Sequence, residues 1–162
     1  MVNTIAPYLL TQKLLPLMDA SGRVINLSSA AQAPVNLDAL AGKVAISNDM
    51  GAYAQSKLAI TMWSKYMADS LGDRGPAVIA VNPGSYLGTK MVKEGFGMAG
   101  NSIRIGADIL VRAALSDEFE TSSGKYFDND ARRFAHPHAD ALDAGKCAEV
   151  VRVIEGIIAV SG

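Results

Sequence analysis

Between residues 51 and 72 apolar side chains recur in two interleaved series, Ala54, Leu58, Met62 and Tyr66, and Ala59, Trp63, Met67 and Leu71. Both series have helical spacing, and two series on one helix mean two buried faces. One would cover a sheet, and the other must meet a neighbouring helix or another subunit. On either side lie runs of a different kind. Arg23 to Ala30 (RVINLSSA) reads as a buried strand that ends in two hydroxyls, and Ala77 to Gly84 (AVIAVNPG) as another that ends in a turn. Strand, helix, strand at this spacing is a β-α-β unit, and in such sheets ligands gather at the carboxyl ends of the strands. The pattern therefore predicts an α/β fold with a parallel sheet flanked by helices.

Upstream, Val2, Ile5, Ala6, Leu9, Leu10, Leu14, Leu17 and Met18 predict a buried helix over 2–19. Pro7 removes the hydrogen bond to the carbonyl of Asn3, which is left free to accept from a water if the helix continues upstream. Equally, an asparagine near a helix start acts as a cap. Residues 30 to 50 hold Pro34, Asn36, Gly42, Asn48 and Asp49 and read as a surface loop or lid. A helix over about 102–116, with Ile105, Ile109, Leu110 and Ala113 inward, leads to a short strand, Lys125 to Asp128, expected to be the last of the sheet. A final amphipathic helix over about 143–159 packs back on the chain or on a partner. The whole, 1–162, reads as a single domain.

Composition narrows the partners. With 49% hydrophobic residues and a net charge of -1 over 162 residues, the chain has an ordinary globular balance and nothing that calls for nucleic acid or an anionic membrane. No signal peptide opens it and no apolar run reaches the ~18 residues of a membrane span, so cytoplasm is the expectation. The single cysteine, Cys147, sits in a helical pattern and reads as an inert thiol.

The chemistry centres on Tyr53 and Lys57. Residues four apart on a helix stand one above the other, so the phenol and the ammonium share one site. A free tyrosine titrates near ~10, too high for a base at neutral pH. One cation ~4 Å away supplies roughly 4 kcal/mol at an effective dielectric of 20, enough to tune such a group by about three units. Ser28 and Ser29 close the strand before this helix, and Pro83 and Gly84 follow the strand after it.

In that combination the chain resembles the short-chain dehydrogenase/reductase family, over about residues 2 to 129. The resemblance implies a partial Rossmann-like, doubly wound sheet. It also implies hydride transfer between the nicotinamide of NAD or NADP and a small carbonyl or secondary alcohol substrate. Tyr53 would exchange the proton with the substrate oxygen, and Lys57 would tune it and bind the ribose hydroxyls. Ser29, which matches the second serine of the family's Asn-x-Ser-Ser motif, would orient that oxygen, although the long loop leaves Ser28 open as the alternative. Asn3 would anchor a relay water. Pro83, Gly84 and Thr89 would meet the cofactor, Thr89 at the nicotinamide amide or the pyrophosphate. Helices 2–19 and 51–72 would form a homodimer or homotetramer.

The family's glycine-rich pyrophosphate loop is not found before the tyrosine helix. The expectation is therefore a C-terminal catalytic portion lacking the N-terminal β-α-β-α-β half, with weak dinucleotide binding by itself and an open first strand edge. A reading of another class is a non-catalytic remnant serving as an oligomerisation or binding module. Gly95 to Gly100 is a literal G-x-G-x-x-G, but a dinucleotide fingerprint follows a strand and opens a helix, and residues 89 to 94 are not a strand. That stretch reads as a mobile loop with glycine hinges. His136-Pro137-His138 has no cysteine or carboxylate pair at ligand spacing and reads as an exposed loop.

Overall fold

The computed structural model describes residues 2–97 and 99–161. Four strands, β1 (Arg23–Leu27), β2 (Ala77–Asn82), β3 (Tyr126–Asp128) and β4 (Arg133–Ala135), form one sheet in the order β1-β2-β3-β4. The first three run parallel, β1 and β2 in register from Arg23 against Ala77 to Leu27 against Val81, and β4 is antiparallel to β3. Among the described residues six α-helices accompany them: α1 (Ile5–Leu14), α2 (Leu37–Leu40), α3 (Asp49–Leu71), α4 (Lys90–Phe96), α5 (Ile103–Leu115) and α6 (Ala144–Ser161). The predicted α/β, Rossmann-like sheet is the fold observed, and β1-α3-β2 is its parallel β-α-β unit.

Alternation along β2 sorts the core into two layers. Val78 faces a cluster with Leu58, Trp63 and Met67 of α3, Tyr8 of α1 and Val150, Val151 and Ile154 of α6. Ile79 and Val81 face the other side, with Ile109 and Ala113 of α5 and the rings of Phe119 and Phe127. The second face of α3 thus meets a neighbouring helix of its own chain, α6, rather than being left for a second subunit. Tyr8 donates to Glu155 of α6 at 2.8 Å and its ring stands edge-on to Trp63, so α1 is tied into the same layer.

The helix predicted over 2–19 is shorter. It begins at Ile5, which places Pro7 in the first turn, where its missing N–H costs nothing, and the α pattern stops at Leu14 because Pro16 has no N–H for the carbonyl of Gln12. The strand Tyr126–Asp128 is not the last of the sheet. Arg132 takes a left-handed φ of 56° and turns the chain back, and Phe134 in β4 packs its ring 5.1 Å from both Phe119 and Phe127. On α5 the inward stripe is Gly106, Ile109 and Ala113, while Ile105 is 48% exposed. Gly106 takes the close approach, since a Cβ there would lie 2.5 Å from Leu87.

Candidate active site

β1 ends at Leu27, and Ser28 continues the ladder by donating its N–H to the Val81 carbonyl at 2.8 Å. The Ser28 side chain is buried and shared between the Lys57 carbonyl at 3.2 Å and the Thr61 hydroxyl at 2.7 Å. It ties the end of β1 to the tyrosine helix and leaves no hydroxyl facing outward. Ser29 is half-buried. Its Oγ accepts from the Ala31 N–H at 3.1 Å, which leaves its own proton to donate, and its carbonyl is held by Gln32 and the Tyr126 hydroxyl.

Asn48 caps α3 through the N–H of Gly51, and the helix then presents Tyr53 and Lys57 one turn apart. The Lys57 ammonium lies 5.5 Å from the centre of the Tyr53 ring and donates to the Leu27 carbonyl at 2.8 Å. Burial disfavours the charged ammonium and lowers the Lys57 pKa. Between that lowered pKa and the ordinary 10.5 the unfolded chain binds more protons, so stability rises with pH across this interval. Lys57→Met is accordingly expected to raise the midpoint of thermal unfolding at neutral pH. The difference from wild type should shrink as the pH rises through the lowered pKa and be absent above 10.5, which a series of melts at increasing pH checks.

Asn3 is exposed in the turn before α1, and its neighbour Thr4 donates to the Ser56 carbonyl at 3.3 Å, which brings this turn to the tyrosine helix. Pro83 and Gly84 follow β2, level with the end of β1, and Gly84 has a φ of 123° that a side chain resists. Thr89 is exposed and caps α4 by accepting from the Val92 N–H at 3.4 Å. The glycine-rich stretch follows no strand: Gly95 lies within α4, Gly97 caps it in the left-handed region, and Met98 lies outside the described residues. Gly100 is a fixed contact rather than a hinge, because a Cβ there would come within 2.7 Å of Gly88 and of the Tyr86 carbonyl.

One constellation was not foreseen from the sequence. Asn82, buried at the end of β2, donates to Asp128 at 2.8 Å and to Asp130 at 2.9 Å, and its Oδ1 accepts from the Gly84 N–H. Asp130 in turn accepts from both the N–H and the Oγ of Ser85, at 2.9 and 2.6 Å, and Asn129 donates to the Pro83 carbonyl. The turn 83–85 is therefore clamped by the loop after β3. Burial raises the Asp130 pKa, but the hydrogen bonds from Ser85 and Asn82 outweigh it and the net shift is downward. The clamp thus holds at neutral pH and loosens only as the pH falls through a value below the usual carboxylate range. Asp130→Ala should speed amide exchange at Ser85 by about tenfold, the equivalent of one lost hydrogen bond, without changing residues 78–81.

Two cavities, of about 290 and 270 Å³, lie beyond these residues, and neither is lined by Ser29, Tyr53 or Lys57. The smaller touches Ala30 and Gln32, next to Ser29. Among the described residues no group of three or more histidine, cysteine or carboxylate side chains is placed to hold a metal, and no helix is long and apolar enough to cross a membrane. His138 instead accepts from the Asp140 N–H, capping the 3-10 turn Ala139–Leu142. Cys147 is buried, which pushes its thiol up to about 11.

A serine at the end of β1, Tyr53 and Lys57 on the crossover helix and Pro83-Gly84 after β2 share one end of a parallel sheet. Residues 1–100 match the short chain dehydrogenase family. The chain belongs to this family. Retinol dehydrogenase 13 of Homo sapiens is 32% identical over 173 aligned positions, covering 94% of this chain and 52% of that protein. The structure of an oxidoreductase from E. coli superposes with a TM-score of 0.58 at 28% identity, covering 79% of this chain and 49% of the other. A protein from Mycobacterium paratuberculosis, at 23% identity and a TM-score of 0.62, shares the fold, over 83% of this chain and 49% of its own. The chain spans about half the length of the curated relatives it matches.

These matches correct the expectation of a C-terminal portion lacking its N-terminal half. The family likeness starts at residue 1, and the matched residues contain a Rossmann β-α-β unit, β1-α3-β2. The β-α-β unit itself is the one its apolar pattern predicts; the expectation of a missing half rested on the glycine-rich turn not being found before the tyrosine helix. Strand pairing and helix packing form the unit through the apolar faces of β1, β2 and α3, and need no glycine signature.

Proposed function

We propose that the chain is a nicotinamide-dependent oxidoreductase in which Tyr53 is the acid/base. The observation that carries this is the Lys57 ammonium, half-buried, 5.5 Å from the Tyr53 ring centre and aimed at the Leu27 carbonyl where β1 ends. The donor set fits one end of NAD or NADP. Lys57 offers a partly desolvated cation, and Ser29 and Thr89 each keep a hydroxyl proton, having used only their oxygens within the fold. When bound, the nicotinamide supplies or accepts the hydride.

The chain's part is the proton. In the direction of oxidation Tyr53 takes the hydroxyl proton of the substrate while its carbinol C–H leaves as hydride, and in reduction Tyr53 returns that proton to the oxygen. Ser29 would donate a hydrogen bond that fixes the same oxygen, Lys57 would hold the ribose, and Asn3 would hold the relay water that refills the proton. Pro83, Gly84 and Thr89 would meet the nicotinamide end of the cofactor. Since relatives carry the name retinol dehydrogenase, the substrate class to try first is an apolar alcohol or aldehyde. The test mixes the full chain with NADH or NADPH and retinal or a medium-chain aldehyde and follows loss of the reduced cofactor's absorbance. Turnover with either cofactor supports the reading, whereas no cofactor binding at millimolar concentration contradicts it.

Self-association follows the same reading. A homodimer or homotetramer through α1 and α3 would use the outer stripe of α1, where Leu10 and Leu14 are exposed, together with the exposed Leu17 of the 3-10 turn that follows, because α6 already covers α3. Sedimentation of wild type against Leu14→Glu should show the variant shifted to the monomer.

A further inference from the structure

The larger cavity, about 290 Å³, is bounded on α3 by Thr61, Ser64 and Lys65, one to about two turns beyond Lys57. Its walls are Ala80 of β2, Tyr126 of β3, Phe134 and Ala135 of β4, and Ala141 and Leu142 of the turn before α6. That surface is predominantly apolar, and the polar groups within it are mostly committed. Thr61 bonds to the Lys57 carbonyl and to Ser28, and Ser64 bonds to the Ile60 carbonyl while accepting from Asn26. Two cations also reach the cavity. Lys65 is neutralised by Asp69, with contacts of 3.0 and 2.9 Å. Lys125 makes no ion pair among the described residues and lies over the Phe134 ring, 5.5 Å from its centre.

An apolar hollow with one uncompensated ammonium at its edge is complementary to an apolar body bearing one negative charge. A phosphate would find a single free cation and bury its remaining oxygens against Phe134, Ala141 and Leu142, which is unfavourable. A neutral apolar molecule would gain no charged contact from Lys125, which is exposed and keeps only the face of the Phe134 ring. The volume lies at the bottom of the range for ligand sites, so the occupant is small. We infer that this cavity binds a small monocarboxylate with an aliphatic or aromatic body, its carboxylate on Lys125 and its body against Phe134, Ala141 and Leu142. Nothing in this assignment depends on the oxidoreductase reading, because the site contains none of Ser29, Tyr53 and Lys57.

The test titrates the isotopically labelled full chain with hexanoate, 1-hexanol and inorganic phosphate and follows amide shifts by nuclear magnetic resonance. Hexanoate should shift Gly124, Lys125 and His136 saturably, binding about tenfold or more tighter than hexanol, the advantage of one charge-assisted contact. Phosphate should give no saturable shift there. Lys125→Met, which keeps the apolar stem, should bring hexanoate down to the level of hexanol and leave hexanol unchanged. Leu142→Trp, at the 51% exposed mouth and so harmless to the fold, should abolish both. Equal affinity for hexanoate and hexanol, indifference to Lys125→Met, shifts confined to other residues, or no binding at all would each overturn the assignment.

Discussion

Tyr53→Phe is expected to abolish turnover, with a loss of about 10² to 10⁴ in kcat, the range that general acid–base groups contribute. The substitution removes one oxygen from a half-buried side chain whose hydroxyl makes no hydrogen bond among the described residues, so the helix and its packing should be untouched. Cofactor affinity should change little, since Lys57 keeps its contact with the Leu27 carbonyl. A variant within tenfold of wild type would end the assignment of the proton to Tyr53. Ser29→Ala should give the smaller loss of the two, because it removes an orienting hydrogen bond and not the proton donor.

The largest structural effect is expected at Trp63. Its side chain is fully buried in the layer where α1, α3 and α6 meet, so Trp63→Ala should cost about 3–5 kcal/mol. That is a large share of the ~5–15 kcal/mol by which a domain of this kind is stable. The indole N–H of Trp63 has no hydrogen-bond partner among the described residues, and a buried donor left unsatisfied costs about 1–3 kcal/mol. Trp63→Phe deletes that donor together with part of the ring volume. The two changes oppose each other, and the net loss should stay below about 1.5 kcal/mol. Urea unfolding of the three proteins separates the cases, and equal destabilisation by alanine and phenylalanine would show that the tryptophan packs through its outer ring alone.

The β-α-β unit was readable because its apolar periods are long and unbroken, as in α3, where Leu58, Met62 and Trp63 fall on the faces their spacing assigns. Tyr53 and Lys57 were readable for the same reason, their geometry being local to one helix. β4 was not, since Arg133-Phe134-Ala135 is too short to show alternation and is held by the ring cluster of Phe119 and Phe127, which depends on chain reversal at Arg132. The Asn82 clamp was missed because Asp128, Asn129 and Asp130 look like a solvated loop. The one available signal was Asn82 itself, an amide closing an apolar strand that must find partners when buried. The division of labour between the two serines also required coordinates, since adjacent residues at a strand end point to opposite sides and only the packing of α3 decides which one is consumed.

The central claim, a proton carried by Tyr53 beside a hydride carried by a nicotinamide, is tested most directly by label transfer. The full chain is incubated with reduced cofactor deuterated at the nicotinamide C4 and with retinal or a medium-chain aldehyde, and the alcohol is analysed by mass spectrometry. Deuterium on the carbinol carbon with wild type, and none with Tyr53→Phe, is the predicted result. Label transferred equally by both proteins, or by neither despite bound cofactor and substrate, would contradict it.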